Sequence, residues 1–238
     1  DLATGEIHGV EALARWMRAD GGMVSPAVFI PAAEENGLIE ALSNAIMREA
    51  CWKGAAWARA GAPLRVAVNV SALQLRGKRF TEQVLNVVQQ SGLPAHLLEL
   101  EITESVAMED PAHAARVLGP LREAGISIAI DDFGCGHSSL AALSQLPVDV
   151  IKIDRQFVAA LSEGDRQGEA IIEMILALAS ALGHSVVAEG VERKEQAAFL
   201  NERGCRWGQG FLYSAAVSAD DLTQNWLGAR LKGRVQAA

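Results

Sequence analysis

Bulky and small or polar residues alternate along several short stretches of the chain. From 65 to 70, Val66, Val68 and Val70 fall on one side and Ala67 and Asn69 on the other, as in a strand whose successive side chains point to opposite faces. Ile126, Ile128 and Ile130 likewise oppose Ser127, Ala129 and Asp131, and Leu98, Leu100 and Ile102 oppose Glu99, Glu101 and Thr103. Ile151 and Ile153 oppose Val150 and Lys152. With the other apolar blocks, this pattern predicts strands near residues 6–12, 65–70, 98–103, 126–131, 148–153, 185–189 and 207–213. Amphipathic stretches predict helices over Leu38–Ala60, Phe80–Gln90, Ala112–Ala124, Glu169–Leu182 and Lys194–Arg203. Several of them stop at glycines (Gly92, Gly125, Gly183, Gly204), the residue that most easily takes the left-handed turn after a helix.

Strand alternating with helix implies parallel βα units. The bulky faces suit contact with surrounding helices, so the small or polar faces point inward. Each inward face closes its strand with a functional group: Asn69, Glu101, Asp131, Lys152, Glu189. In a (β/α)8 barrel such strand ends converge on one mouth, whereas a doubly wound sheet would spread them along an edge. The strands are one short of a closed barrel. Asp1-Leu2, followed by the turn signal Ala3-Thr4-Gly5, reads as the tail of an eighth strand, joined by a hairpin to the strand holding Glu11. That strand would run antiparallel to its neighbour, with most of it missing. The expected architecture is α/β: a TIM-like barrel with one antiparallel strand, its first strand largely missing, forming a single domain over residues 1–238.

Composition narrows the function. The 238 residues, 50% hydrophobic, suffice for one large core. A net charge of -8 argues against a protein that coats long nucleic acid. Cys51, Cys135 and Cys205 are odd in number and far apart, which suits neither a disulfide framework nor a paired zinc motif and points to a reducing cytoplasm. The apolar run Ala170–Ala188 contains Glu173, Gly183 and His184 and reads as a buried helix followed by a strand. Neither a signal peptide nor direct membrane contact is expected of this chain.

Glu11, Asn69, Glu101, Asp131, Asp132 and Glu189 are all oxygen donors, a set that selects Mg2+ or Mn2+ over softer metals. So many carboxylates in one mouth would repel one another unless cations held them, and two ions about 3.5 to 4 Å apart would satisfy the arrangement. Asp131 and Asp132 are consecutive, so they can share a site only where the strand has ended, at a turn supplied by Phe133-Gly134. Gly134-Cys135-Gly136-His137-Ser138-Ser139 begins like a dinucleotide fingerprint, but serine replaces its third glycine and two acids precede it. Cys135 and His137 alone supply too few ligands for zinc.

Seven motifs then fall in register with a known family. Glu11-Ala12-Leu13-Ala14-Arg15-Trp16, Val68-Asn69-Val70-Ser71, Glu101-Ile102-Thr103-Glu104, Asp131-Asp132-Phe133-Gly134, Lys152-Ile153-Asp154, Glu189-Gly190-Val191-Glu192 and Gln209-Gly210-Phe211 resemble, in order, the signatures of EAL-domain cyclic di-GMP phosphodiesterases. The resemblance implies metal-dependent hydrolysis of cyclic di-GMP to linear pGpG, with two Mg2+ or Mn2+ ions and with Ca2+ inhibitory. It implies that Glu11, Asn69, Glu101 and Asp131 bind one metal, that Asp132 holds a second bridged by Asp131, and that Glu189 reaches the metal site. Lys152 would orient or deprotonate the attacking water, supported by Gln209 and Glu192. Glu104 would steady the loop after Asp132, while Leu13, Arg15 and Asp154 would meet substrate. It further implies a homodimer through the face bearing the Asp132–Leu146 loop, and sensor or regulatory domains elsewhere in the protein. Two departures stand out: Cys135 and His137 replace a threonine and a tyrosine, and Ala215-Ala216 replaces an arginine-proline pair. The alternative is a receptor domain that binds cyclic di-GMP without turnover.

Overall fold

The computed structural model describes residues 1–136, 140–161 and 166–228. β1 (Gly9–Ala12) leads into a short antiparallel pair, β2 (Trp16–Met17) and β3 (Met23–Val24), and then into α1 (Pro26–Glu35) and α2 (Ile39–Arg59). From there strand and helix alternate. β4 (Arg65–Asn69) precedes α3 (Ala72–Leu75) and α4 (Phe80–Ser91), and β5 (Leu98–Thr103) precedes α5 (Glu104–Glu109) and α6 (Pro111–Glu123). β6 (Ser127–Phe133) precedes α7 (Leu140–Leu143), and β7 (Val150–Ile153) precedes α8 (Arg155–Ala160) and α9 (Arg166–Leu182). β8 (Ser185–Ala188), α10 (Lys194–Glu202), β9 (Trp207–Gly208) and α11 (Ala219–Asp221) complete the series.

One seven-stranded sheet runs β1-β4-β5-β6-β7-β8-β9, parallel at every pairing. It curls into an incompletely closed barrel flanked by helices. Across the gap between β1 and β9, Leu2 N donates to Arg206 O at 2.8 Å, and the His8 and Trp207 rings meet with centroids 4.9 Å apart. The turn at the start of the chain forms: Gly5 N bonds to Asp1 O at 2.8 Å, and the Asp1 amine to Glu6 O at 2.8 Å. Residues 1 and 2 nevertheless form no strand, and the antiparallel component is the β2–β3 pair.

Period-2 alternation separates the two faces as expected. Val66, Val68, Leu98, Leu100, Ile128, Ile130, Ile151 and Ile153 are buried under the helices. The inward face is polar: Glu99 is buried and takes bonds from Arg65 Nη1 at 3.1 Å and Ser127 Oγ at 2.9 Å. All four glycine stops are left-handed, with φ of 70° at Gly92, 92° at Gly125, 75° at Gly183 and 83° at Gly204.

β9 and α1 also differ from the sequence reading. The strand expected over 207–213 ends at Gly208, because Gly210 packs directly on the loop after β8, where a Cβ would lie 2.2 Å from Val191 O. The chain then turns, with Tyr213 N on Gly210 O at 3.1 Å. The additional helix α1 begins at Ser25, whose hydroxyl accepts from Ala27 N, with proline in its first turn. Pro31 in its interior obscures it in the sequence. Among the described residues no helix is long and apolar enough to cross a membrane.

Candidate active site

The C-terminal strand ends converge at one mouth of the barrel, around a lysine. Lys152, on β7, is 1% exposed. Its Nζ lies 2.6 Å from Glu101 Oε1, 2.7 Å from Glu189 Oε1, 3.4 Å from Asp131 Oδ1 and 3.8 Å from Glu11 Oε2. These are ion-pair distances, none with hydrogen-bond geometry at Nζ. Burial disfavours the ammonium, but the surrounding carboxylates, Glu101 foremost, outweigh it and shift the lysine pKa upward. A lowered pKa, expected of a lysine beside cations, is thus not a property of the polypeptide alone.

One ammonium cannot offset so many acids. Burial pushes Glu101 up to about 9, with Lys152 only partly opposing. Glu189 rises to about 7, again chiefly by burial, and Asp132 to about 6, by burial and then by repulsion from Asp131. Glu101 Oε2 is buried without any hydrogen-bond partner among the described residues, a costly state for a carboxylate oxygen. Asp131, Asp132 and Glu189 each present an oxygen within 4.8 Å of the others. These hard oxygen donors and the orphaned Glu101 oxygen fit a divalent cation.

Asp131 and Asp132 reach the same site by a different device from the turn read in the sequence. β6 continues to Phe133, but its pairing with β7 slips between Ile130 and Phe133. Asp132 adopts φ 54°, the only non-glycine residue with positive φ among the described residues. This bulge re-aims one side chain of a pair that a regular strand would send to opposite faces.

Around this centre, Glu11 is gripped at both oxygens, by Asn69 Nδ2 at 2.7 Å and Gln209 Nε2 at 2.6 Å. With its nitrogen so engaged, Asn69 has only its carbonyl oxygen to offer a cation. Glu104 is buried at the start of α5. It accepts from Gly134 N at 2.7 Å and Gly136 N at 3.4 Å, and so anchors the backbone after Asp132. Asp154 caps α8 through Gln156 N at 2.7 Å. It lines a recess of about 600 Å³ with Asp132, exposed Cys135, Arg155 and Glu189. Leu13 and Arg15 are exposed and border a larger cavity that Glu11, Lys152 and Gln209 also line. Glu192 is exposed, and its backbone N donates to Gln196 Oε1 at 2.8 Å. His137 and part of the Asp132–Leu146 loop lie outside the described residues.

Sequence reasoning missed Gln196, a fully buried amide holding the backbone after Glu189. Its signal was its place four residues before Leu200, on the one face of α10 that is buried.

The EAL domain model matches residues 1–216. The cyclic di-GMP phosphodiesterase NbdA of Pseudomonas aeruginosa is 44% identical over 214 residues, covering 90% of this chain and 27% of that protein. The cyclic di-GMP phosphodiesterase PA2567 of the same organism is 39% identical over 227 residues, covering 95% of this chain and 38% of that protein. The chain therefore spans well under half the length of these curated relatives. The PaMucR phosphodiesterase, solved as a c-di-GMP complex, matches with TM-score 0.86 and 40% identity over 90% of this chain and 87% of that one. In sequence and in structure, the chain belongs to the EAL domain family.

Proposed function

We propose that this domain hydrolyses cyclic di-GMP to linear pGpG with Mg2+ or Mn2+. The observation that carries this reading is the over-acidic centre, with the unsatisfied Glu101 oxygen beside Asp131, Asp132 and Glu189. It is supported by the relatives named as cyclic di-GMP phosphodiesterases.

In the proposed assignment Glu11, Asn69, Glu101 and Asp131 would hold one ion, Asp131 and Asp132 would hold a second, and Glu189 would reach the metal site directly or through water. Such a pair supplies Lewis acidity toward water and compensation for charge growing at phosphorus and the leaving oxygen. Every other role falls to the polypeptide. Lys152 Nζ would orient the attacking water or, after releasing its own proton to solvent, take the proton of that water; the attraction that keeps the ammonium protonated weakens once Glu101 and Glu189 are engaged elsewhere. Gln209 and Asn69 fix Glu11, and Glu104 fixes the backbone at Gly134. Arg15 pairs with a substrate phosphate, while Leu13 and Asp154 border the bound dinucleotide. Glu192, with Gln209, would support the surroundings of Lys152. A homodimer through the α7 face and attached sensor domains belong to the same proposal.

The test is chromatographic. With Mg2+ or Mn2+ the chain should convert cyclic di-GMP to pGpG and leave cyclic di-AMP largely intact. Ca2+, with its larger and more flexible shell, should allow binding with little turnover. Binding of cyclic di-GMP with no pGpG over hours in Mg2+ would replace the enzyme with a receptor.

A further inference from the structure

The loop Glu189-Gly190-Val191-Glu192 is clamped on three sides. Toward β7, Glu189 N donates to Ile153 O at 3.1 Å; toward the β9 side, Val191 N donates to Gln209 O at 3.0 Å and Val191 O accepts from Leu212 N at 3.0 Å. Gly190, at φ 68°, makes a close approach possible, since a Cβ there would lie 2.5 Å from Arg155 Cβ.

The third side is held by a single side chain. Gln196, in the first turn of α10, is 4% exposed. Its Oε1 accepts from Glu192 N at 2.8 Å and Arg193 N at 2.9 Å, while its Nε2 donates to Val158 O on α8 at 2.9 Å. α8 starts at Arg155, three residues after Lys152. The amide therefore ties the loop that follows one site residue to the helix that follows another.

We infer that Gln196 is a positioning residue for Glu189, acting through the loop backbone on the affinity of the site for a divalent cation. The inference rests on the cation-dependent reading above. Loss of the amide would take the shared acceptor from two part-buried N–H groups, Glu192 N and Arg193 N, and the buried donor from Val158 O, so the tie between the loop and α8 would be released. Glu189 moves with the loop. A mere helix cap predicts lost stability alone, whereas a positioning residue predicts lost metal affinity as well, because groups that support ligands commonly change affinity about 10- to 100-fold when removed.

Calorimetric titration of Mn2+ into the whole chain separates these roles. Q196M, which keeps the volume but loses the bonds, should bind Mn2+ about 10-fold or more weakly. The core control L118A, on α6, should lower the melting temperature without changing affinity. Q196E can still accept from both N–H groups and should recover most of the affinity, including in high salt where a through-space charge effect is screened. Unchanged Mn2+ affinity in Q196M, or an equal loss in L118A, would overturn the inference and leave the proposed reaction standing. Wild type that takes up no Mn2+ would sink both. Should Q196M not fold, amide exchange in the unaltered chain decides. Coupling between loop and cation is reciprocal, so Mn2+ should slow exchange at Glu192 and Arg193, and unchanged exchange there would count against the inference.

Discussion

Lys152 Nζ stands 2.6 Å from one oxygen of Glu101, while the other oxygen of the same carboxylate is buried with no hydrogen-bond partner among the described residues. The cation-free site thus favours extra protons. Folded-state values of about 9 for Glu101 and about 7 for Glu189, against 4.5 ordinarily, and of about 6 for Asp132, against 3.8, mean that the folded chain binds more protons than the unfolded chain in this range. Stability should therefore fall as pH rises from about 4 to about 9. The upward shift of Lys152 acts only above its ordinary 10.5 and lies outside that window. Melting temperatures in chelator should decline between pH 5 and pH 9, and Mn2+ should flatten the decline. A rise with pH in chelator would contradict the assignment.

Lys152→Ala should leave affinity for cyclic di-GMP within a few-fold and reduce the rate by about 100-fold or more, the scale of a lost general base. Single-turnover rates alongside equilibrium binding check this. Equal losses in both would assign Lys152 to substrate binding instead.

Gly136 sits where a Cβ would come 2.5 Å from Glu104 Oε1. Gly136→Ala should displace that carboxylate and release Gly134 N, its partner at 2.7 Å. About 10-fold loss of rate is expected, as for other supporting groups, with cooperative unfolding retained. Kinetics and thermal melts on one preparation would show it; full activity would mean that Glu104 swings aside without consequence.

Much of this site was legible because strand periodicity fixes which side chains point inward: Asn69, Glu101, Asp131, Lys152 and Glu189 all follow from alternation and from their places at strand ends. Less legible were features made by contact between distant segments. Asp132 shares the site through a slipped register and a left-handed φ that no alternation rule gives. β9 stops early because Gly210 meets Val191, and Gln196 matters because Val158 faces it across two helices.

The strain and repulsion at Asp132 lead to a trade between stability and function. A left-handed φ costs most residues about 1 to 2 kcal/mol, but asparagine tolerates it as well as aspartate does, so Asp132→Asn keeps the geometry and removes only the charge. The group is exposed and solvent screens its repulsion with Asp131, so the gain in chelator at pH 7 to 8 should be about 1 kcal/mol. That corresponds to about 2 to 4 °C in melting temperature for a domain of this size. With Asp132 titrating near 6 in the folded chain, the gain should vanish at pH 5, where wild type is already protonated at this position. The same substitution removes a proposed ligand of the second ion, so activity in Mg2+ should drop by more than the 10- to 100-fold typical of a supporting group. Melting curves at both pH values and pGpG formation in Mg2+ test the pair of outcomes. A variant neither stabilised at pH 8 nor impaired in turnover would mean that Asp132 does not share the site with Asp131.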